Sequence, residues 1–282
     1  MIRPNATGVQ PRRVPPARRH RRPNLSRVSA TTPSWTDSDL RSNPHAAPDK
    51  ASRVRSMFAA IARSYDLNNR LHSLGTDVRW RRKAVELADV NAGDRVLDVA
   101  CGTGDLTQEF ARTAAADVVG LDFTREMLDI AGQKRTRLAE ELKRKVSYVE
   151  GDAQRLPFAD ATFHVVSIAF GIRNILEPDV ALREFARVLR PGGRLIVLEF
   201  DRPTNPLVRG LNHLYCARVM PLTATLLSGD KSGAYKYLPR SVETFLSRDV
   251  FIAKMNAAGF QSAVTWPLTM GIAVIYRTVK SQ

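Results

Sequence analysis

Only two cysteines occur in 282 residues, Cys101 and Cys216. Two thiols cannot staple a small secreted scaffold, so a reducing interior is the expected compartment. No stretch approaches the ~20 apolar residues that span a bilayer, which excludes an integral membrane helix. Acidic residues are missing from residues 1–30, which hold eight arginines: Arg3, Arg12, Arg13, Arg18, Arg19, Arg21, Arg22 and Arg27. That segment carries just over half of the net charge of +15 and leaves +7 for the other 252 residues. Aromatic residues are missing there too. The first aromatic of the chain is Trp35, so the basic segment has no platform on which bases could stack. Internal repeats are absent as well. What is present is 44% hydrophobic residues, too apolar for a chain disordered throughout, at a length that suits one large domain or two small ones.

Residues 1–50 hold half of the 16 prolines: Pro4, Pro11, Pro15, Pro16, Pro23, Pro33, Pro44 and Pro48. Proline lacks a backbone N–H and blocks helix interiors. Apolar residues are few and aperiodic, so the expectation is a disordered Arg/Pro-rich extension, with the folded domain running from residue 51 to 282. Three readings of the extension stay open. It is an organelle transit peptide, a basic arm for nucleic acid or anionic lipid, or a non-essential addition.

From Ala51 onward helices and strands alternate. Val54, Met57, Phe58 and Ile61 have helical spacing within residues 52–63, Asp66–Asn69 reads as a turn, and Arg79–Ala88 as a helix. Apolar runs at residues 95–100, 117–121, 146–150, 163–169 and 194–200 read as buried strands. Helices are expected at residues 105–114, 126–142, 179–189 and 242–258, with Pro191-Gly-Gly193 ending the third of these. Residues 261–266 and 272–276 form a final hairpin. This alternation implies an α/β fold, a doubly wound and mostly parallel sheet with helices on both faces and an antiparallel C-terminal pair.

Open sheets of this kind bind ligands beyond the carboxyl ends of their strands. The first such loop is Asp98-Val-Ala-Cys-Gly-Thr-Gly-Asp105, in which Gly102 and Gly104 allow a sharp turn and a close approach of the backbone. The dinucleotide fingerprint wants a third glycine where Thr107 stands. Asp105, at the start of the next helix, would repel a pyrophosphate. A cofactor with positive charge and no phosphate fits better, and S-adenosylmethionine has both properties. Asp98 is placed to face its charge. Asp122 ends the second strand, where a carboxylate accepts ribose hydroxyls, and Asp152-Ala153 ends the third, suited to adenine.

The segments LDVACGTGD, LDFT, GDAQRLPFAD and RVLRPGGRLIVLEF resemble those of class I S-adenosylmethionine-dependent methyltransferases, Rossmann-like enzymes with a seven-stranded sheet. MFAAIARSYDLNNRLHSLGTDVRWRRKAV, FGIRN, YKYLPRSVETF and MNAAGFQSAVTWPLTMGIAVIY narrow the resemblance to the ubiquinone/menaquinone biosynthesis C-methyltransferases, over about Arg55–Tyr276. The resemblance implies a cofactor site at Thr103, Asp122, Asp152 and Ala153. Two positions depart from it: Ala169 stands where many members have Ser, and Asp77 where many have His.

The acceptor can be narrowed from residues. The loop after the fourth strand is Ala169-Phe-Gly-Ile-Arg-Asn174, not the Asn/Asp-Pro-Pro-aromatic loop of amino-group methylation on bases. Neither cysteine is placed as a nucleophile for pyrimidine carbon-5 methylation. Leu207, Leu211, Leu214, Tyr215, Val219 and Leu222 recur at helical spacing in residues 207–227, either covering the protein's own core or forming a lid for a greasy chain or membrane surface. The resemblance favours the lid and implies a polyprenylated quinol as substrate; the family spans both pathways, and the short spacers and compact domain favour demethylmenaquinol over the ubiquinone-pathway benzoquinol. Alternatives are methylation of RNA or of another small molecule, and a non-catalytic subunit of a quinone-synthesis assembly.

Arg173 is expected to stabilise ring-oxygen charge with Asn174 beside it, while Tyr65 and Asp66 close over the ring. His164, inside the fourth strand, is expected to be structural. No nucleic-acid partner and no metal are expected. The expected location is the cytoplasm, peripheral to the inner face of the membrane, and homo-oligomerisation stays open.

Overall fold

The protein is described by a computed structural model covering residues 34–220, 223 and 233–282. Its centre is a seven-stranded sheet in the order β3-β2-β1-β4-β5-β7-β6. The strands are β1 (Arg95–Val99), β2 (Asp117–Asp122), β3 (Val146–Glu150), β4 (Phe163–Ala169), β5 (Leu189–Phe200), β6 (Phe260–Leu268) and β7 (Ala273–Lys280). β1 to β5 pair in parallel, and β7 runs antiparallel to both neighbours, so the expected C-terminal hairpin is present. The strand order reverses direction beside β1, which places the crevice at the carboxyl ends of β1 and β4.

Alternate residues of the strands feed two cores, one on each face. Leu97, Val99, Val166 and Ile168 pack with Phe185 and Phe251 on one side. Val96, Val118, Val165 and Ile196 pack with Trp80 and Phe110 on the other. Both faces of the parallel part are covered, which is why its strands read as unbroken apolar runs.

The helices are α1 (Asp37–Arg41), α2 (Lys50–Ile61), α3 (Tyr65–His72), α4 (Thr76–Ala88), α5 (Asp105–Ala111), α6 (Arg125–Arg135), α7 (Glu140–Lys145), α8 (Pro178–Val188), α9 (Pro206–Leu214), α10 (Ala234–Thr244) and α11 (Arg248–Ala257). Several differ from the sequence reading. Asp66–Asn69 lies inside α3, where Asp66 in the first turn and Arg70 and His72 in the last complement the helix dipole. The long helix expected at residues 126–142 is two helices, α6 and α7, and residues 242–258 divide between α10 and α11. Pro191-Gly-Gly193 does not precede β5 but lies within it.

The largest correction concerns the boundary at residue 51. Residues 1–33 lie outside the described residues, but 34–50 are packed into the domain. Trp35 is 1% exposed and stacks on Tyr237 with ring centroids 4.7 Å apart. Thr36 caps α1 in a capping box with Asp39. Trp35 joins Val54, Met57, Ile61, Met127 and Ala234 in a third apolar cluster. A tryptophan beside a polar capping sequence is a weak periodic signal, which is why this segment read as a continuation of the extension.

Candidate active site

Two cavities meet at the carboxyl ends of β1, β2 and β4. The larger spans about 750 Å³ and the smaller about 330 Å³, space open to solvent included. Tyr65, Ala100, Gly102 and Ala169 line both and mark the junction. Ala100 and Phe170, at the ends of β1 and β4, hold left-handed backbone with φ of 52° and 56°. Such strain collects where a chain must turn tightly around a site.

The small cavity is lined by Asp98, Thr103, Asp105 and Arg81. Asp98 is buried and accepts hydrogen bonds from the Thr107 hydroxyl at 2.6 Å and the Ser167 hydroxyl at 2.9 Å. Burial nevertheless pushes its pKa up to about 6, so a neighbouring cation would favour the ionised form. Asp105 and Lys134 form an ion pair at the first turn of α5. Lys134 also donates to Asp66 at 2.9 Å, and the Thr103 hydroxyl donates to Asp66 at 2.6 Å. This cluster closes the helix N-terminus that a pyrophosphate would need and ties α3 to the glycine loop. Asp66 therefore braces the cofactor loop and lines neither cavity, rather than closing over a ring.

The large cavity carries Asp122, Asp152 and Ala153 at one end and Phe170, Gly171, Asn174, Ile175 and Leu176 at the other. Asp122 accepts backbone N–H bonds from Gly102 and Thr124, both at 2.8 Å, and burial raises its pKa. Those bonds aim the carboxylate at the cavity where ribose hydroxyls would sit. Asp152 is held by the Gln154 N–H at 2.9 Å. Gly102 lines the cavities, whereas Gly104 lines neither. Gly104 has φ of 80° and packs against the Tyr148 ring, which leaves no room for a Cβ. S-adenosylmethionine fits this donor set: carboxylates face the cationic and ribose parts, and glycine and alanine leave space for the rest.

Arg173 also departs from expectation. It is buried and lines neither cavity. Its guanidinium donates to Glu199 at 2.6 Å, to the Phe170 carbonyl at 2.8 Å and to the Ser241 hydroxyl at 3.3 Å. With a carboxylate of its own it is not a free charge for a substrate. It fixes the turn over residues 170–174. Asn174 does reach the cavity, its amide oriented by the Phe170 carbonyl at 3.2 Å and by the Tyr237 hydroxyl, which donates at 3.0 Å. Tyr65 lines both cavities, and burial raises its pKa. His164 sits far from this end. It accepts the Arg95 N–H at 3.0 Å.

Sequence reasoning missed Arg81, Gln154, Phe58 and Met127 as lining residues. Arg81 is ion-paired with Asp77. An i,i+4 pair on an amphipathic helix gave no signal to separate it from an ordinary surface bridge.

The fold and the paired cavities define a class I S-adenosylmethionine-dependent methyltransferase. Solved structures agree on the fold. The [4+2]-cyclase SpnF matches with a TM-score of 0.61 at 18% identity over 82% of this chain and 97% of that one. A possible histamine N-methyltransferase from Thermotoga maritima matches at 0.56, 18% identity, 81% and 100%. A sequence profile described as the ubiE/COQ5 methyltransferase family matches residues 47–280, and the chain belongs to that family. A demethylmenaquinone methyltransferase from Thermus thermophilus is 48% identical over 221 residues, covering 78% of this chain and 98% of the relative. A ubiquinone/menaquinone biosynthesis C-methyltransferase from Geobacter sp. strain M21 is 42% identical over 234 residues, covering 82% and 98%.

Proposed function

We propose that this methyltransferase acts on a ring carbon of a reduced, polyprenylated quinol, with demethylmenaquinol as the preferred acceptor. The observation that carries this reading is the far end of the large cavity. Phe58, Tyr65, Phe170, Ile175 and Leu176 make an apolar slot for a flat ring, with Asn174 as a polar contact. The relatives named above supply the acceptor class. The Thermus relative's name favours the menaquinone precursor. The equivalent benzoquinol of ubiquinone synthesis is the second reading, supported by the Geobacter relative's name.

S-adenosylmethionine, when bound, supplies an electrophilic methyl group. The chain's own work is to hold the cofactor with Asp98, Gly102, Thr103, Asp122, Asp152 and Ala153, and to align the ring. Loss of the quinol hydroxyl proton to water would raise electron density at the ortho carbon, and that carbon would form the new C–C bond to the methyl group as the methyl's bond to the sulfonium sulfur breaks. That carbon then releases its proton to water and aromaticity returns. Oxidised quinone lacks this density and is not a substrate. Asn174 offers an amide N–H toward the ring oxygen. Tyr65, whose hydroxyl stays protonated, separates the ring slot from the small cavity. Much of the rate enhancement is alignment and exclusion of water.

The greasy tail has a natural exit. α9 buries none of its residues, and Leu207 and Leu211 are 71% and 61% exposed. Leu67, Leu71 and Leu74 on and just after α3 are exposed as well. The Tyr215 hydroxyl, just past α9, donates to the His72 carbonyl at 3.2 Å and so joins the two stripes. Helix α9 therefore serves as a lid or membrane-facing surface rather than a core helix. Leu222 lies outside the described residues. Among the described residues no helix is long and apolar enough to cross a membrane, and the exposed stripes of α3 and α9 suit peripheral contact with a membrane surface. The deciding experiment is labelled S-adenosylmethionine with reduced demethylmenaquinone, a ubiquinone precursor or RNA. Label in the RNA, or in none of the three, overturns the reading.

A further inference from the structure

Arg173 is neutralised by Glu199, yet a second cation lies behind the same turn. Lys50, the first residue of α2, is 1% exposed. Its ammonium donates to the Ile175 carbonyl at 2.6 Å, and no carboxylate lies within ion-pair distance of it among the described residues. A buried ammonium is costly without a counter-ion. This one also sits at a helix N-terminus, where the backbone adds to the positive potential. The surrounding groups do not compensate it. Arg173 is positive and paired with Glu199. His45 is held neutral, its pKa pushed down to about 4 by burial. Tyr237 on α10 stays protonated, its pKa raised by burial to about 12. Asp49 pairs with Arg53 instead. The cluster therefore holds one positive charge in excess. Burial, and then Arg173, lower the Lys50 pKa to about 8, which leaves it charged at neutral pH.

The excess lies against the acceptor end of the large cavity. Ala51, which follows Lys50, and Ile175, whose carbonyl accepts its hydrogen bond, both line that cavity beside Asn174 and Leu176. We infer that Lys50 is the positioning residue whose charge, delivered through the Ile175 turn, stabilises the ring-oxygen anion of the acceptor. This rests on the phenolic acceptor proposed above. It moves the charge-stabilising role from Arg173 to a residue in the segment that had read as an extension.

The test uses the full chain and the variants Lys50→Met and Lys50→Arg. A chromogenic naphthol, 4-nitro-1-naphthol, is titrated spectroscopically in the S-adenosylhomocysteine complex. The bound naphthol should ionise about one pH unit lower in wild type than in Lys50→Met, a tenfold change in the ionisation constant. Lys50→Arg should restore most of the shift. The pH–rate profile of methyl transfer should move upward in Lys50→Met by the same amount, with cofactor affinity unchanged. A purely structural lysine would lower the melting temperature and slow the reaction equally at every pH. A naphthol that does not bind, or whose ionisation ignores Lys50→Met, overturns the inference. A shift seen in an enzyme that ignores demethylmenaquinol keeps the anion site and discards only the quinol acceptor.

Discussion

The half of the site assigned above to the cofactor and the half proposed for the acceptor are built differently. The cofactor half takes Asp98, Gly102, Thr103, Asp122, Asp152 and Ala153 from the ends of three neighbouring parallel strands and their loops. The acceptor half takes Lys50 and Phe58 from α2, Tyr65 from α3, residues 170–176 after β4, Glu199 from β5, and Tyr237 and Ser241 from α10. One half is a consequence of sheet topology. The other is a cap assembled from segments nearly 200 residues apart. Damage to the first should therefore read out as cofactor affinity, and damage to the second as stability and turnover together.

The sharpest way to break this contrast is to remove the cap's anchor. Deleting residues 1–50 takes away Trp35 and Lys50 and should cost the fold and the activity, while deleting residues 1–33 should spare both. Loss of one buried tryptophan is worth roughly 3–5 kcal/mol, which a thermal melt of Trp35→Ala would show. Next is Glu199→Gln, which leaves Arg173 buried without its carboxylate. About 3–5 kcal/mol of destabilisation is expected, with reduced turnover and cofactor affinity nearly intact by calorimetry. Asp122→Ala should do the reverse, weakening cofactor affinity tens-fold with little change in melting temperature of the free enzyme.

Asp98 offers a finer test. Its pKa of about 6 lies above the ordinary 3.8. Between those values the free native protein holds a proton that the unfolded chain has released, so its stability should fall as pH rises through that window. A cationic cofactor prefers the ionised form, so cofactor affinity should instead rise from pH 5 to 7. Asp98→Asn should flatten both trends. The smallest effect is expected from Ala169→Ser. A hydroxyl at the junction of the cavities should tighten cofactor binding by a few-fold, about 1 kcal/mol or less.

The same division separates what could be read from the chain. β1 to β4 are legible because strands of a covered parallel sheet are short apolar runs, and the hairpin because two strand-like runs stand only a few residues apart. α3 is not, because Tyr-Asp-Leu-Asn-Asn carries turn residues, and its stability comes from Asp66 meeting Thr103 and Lys134. Arg173 is visible in the sequence, but its role is not. Its spacing from Asn174 is visible in the sequence, whereas the carboxylate that neutralises it lies 26 residues on in β5. Lys50 was hidden because a lysine after proline and aspartate looks solvated.

By itself the sequence determined the α/β class, the strand-end carboxylates and the cofactor's charge, since each depends on residues close along the chain. Only the tertiary structure decided which charges are paired, where the cap begins and which cation remains uncompensated. Those are properties of burial and of long-range neighbours, and a buried charge takes its meaning from what the fold sets against it.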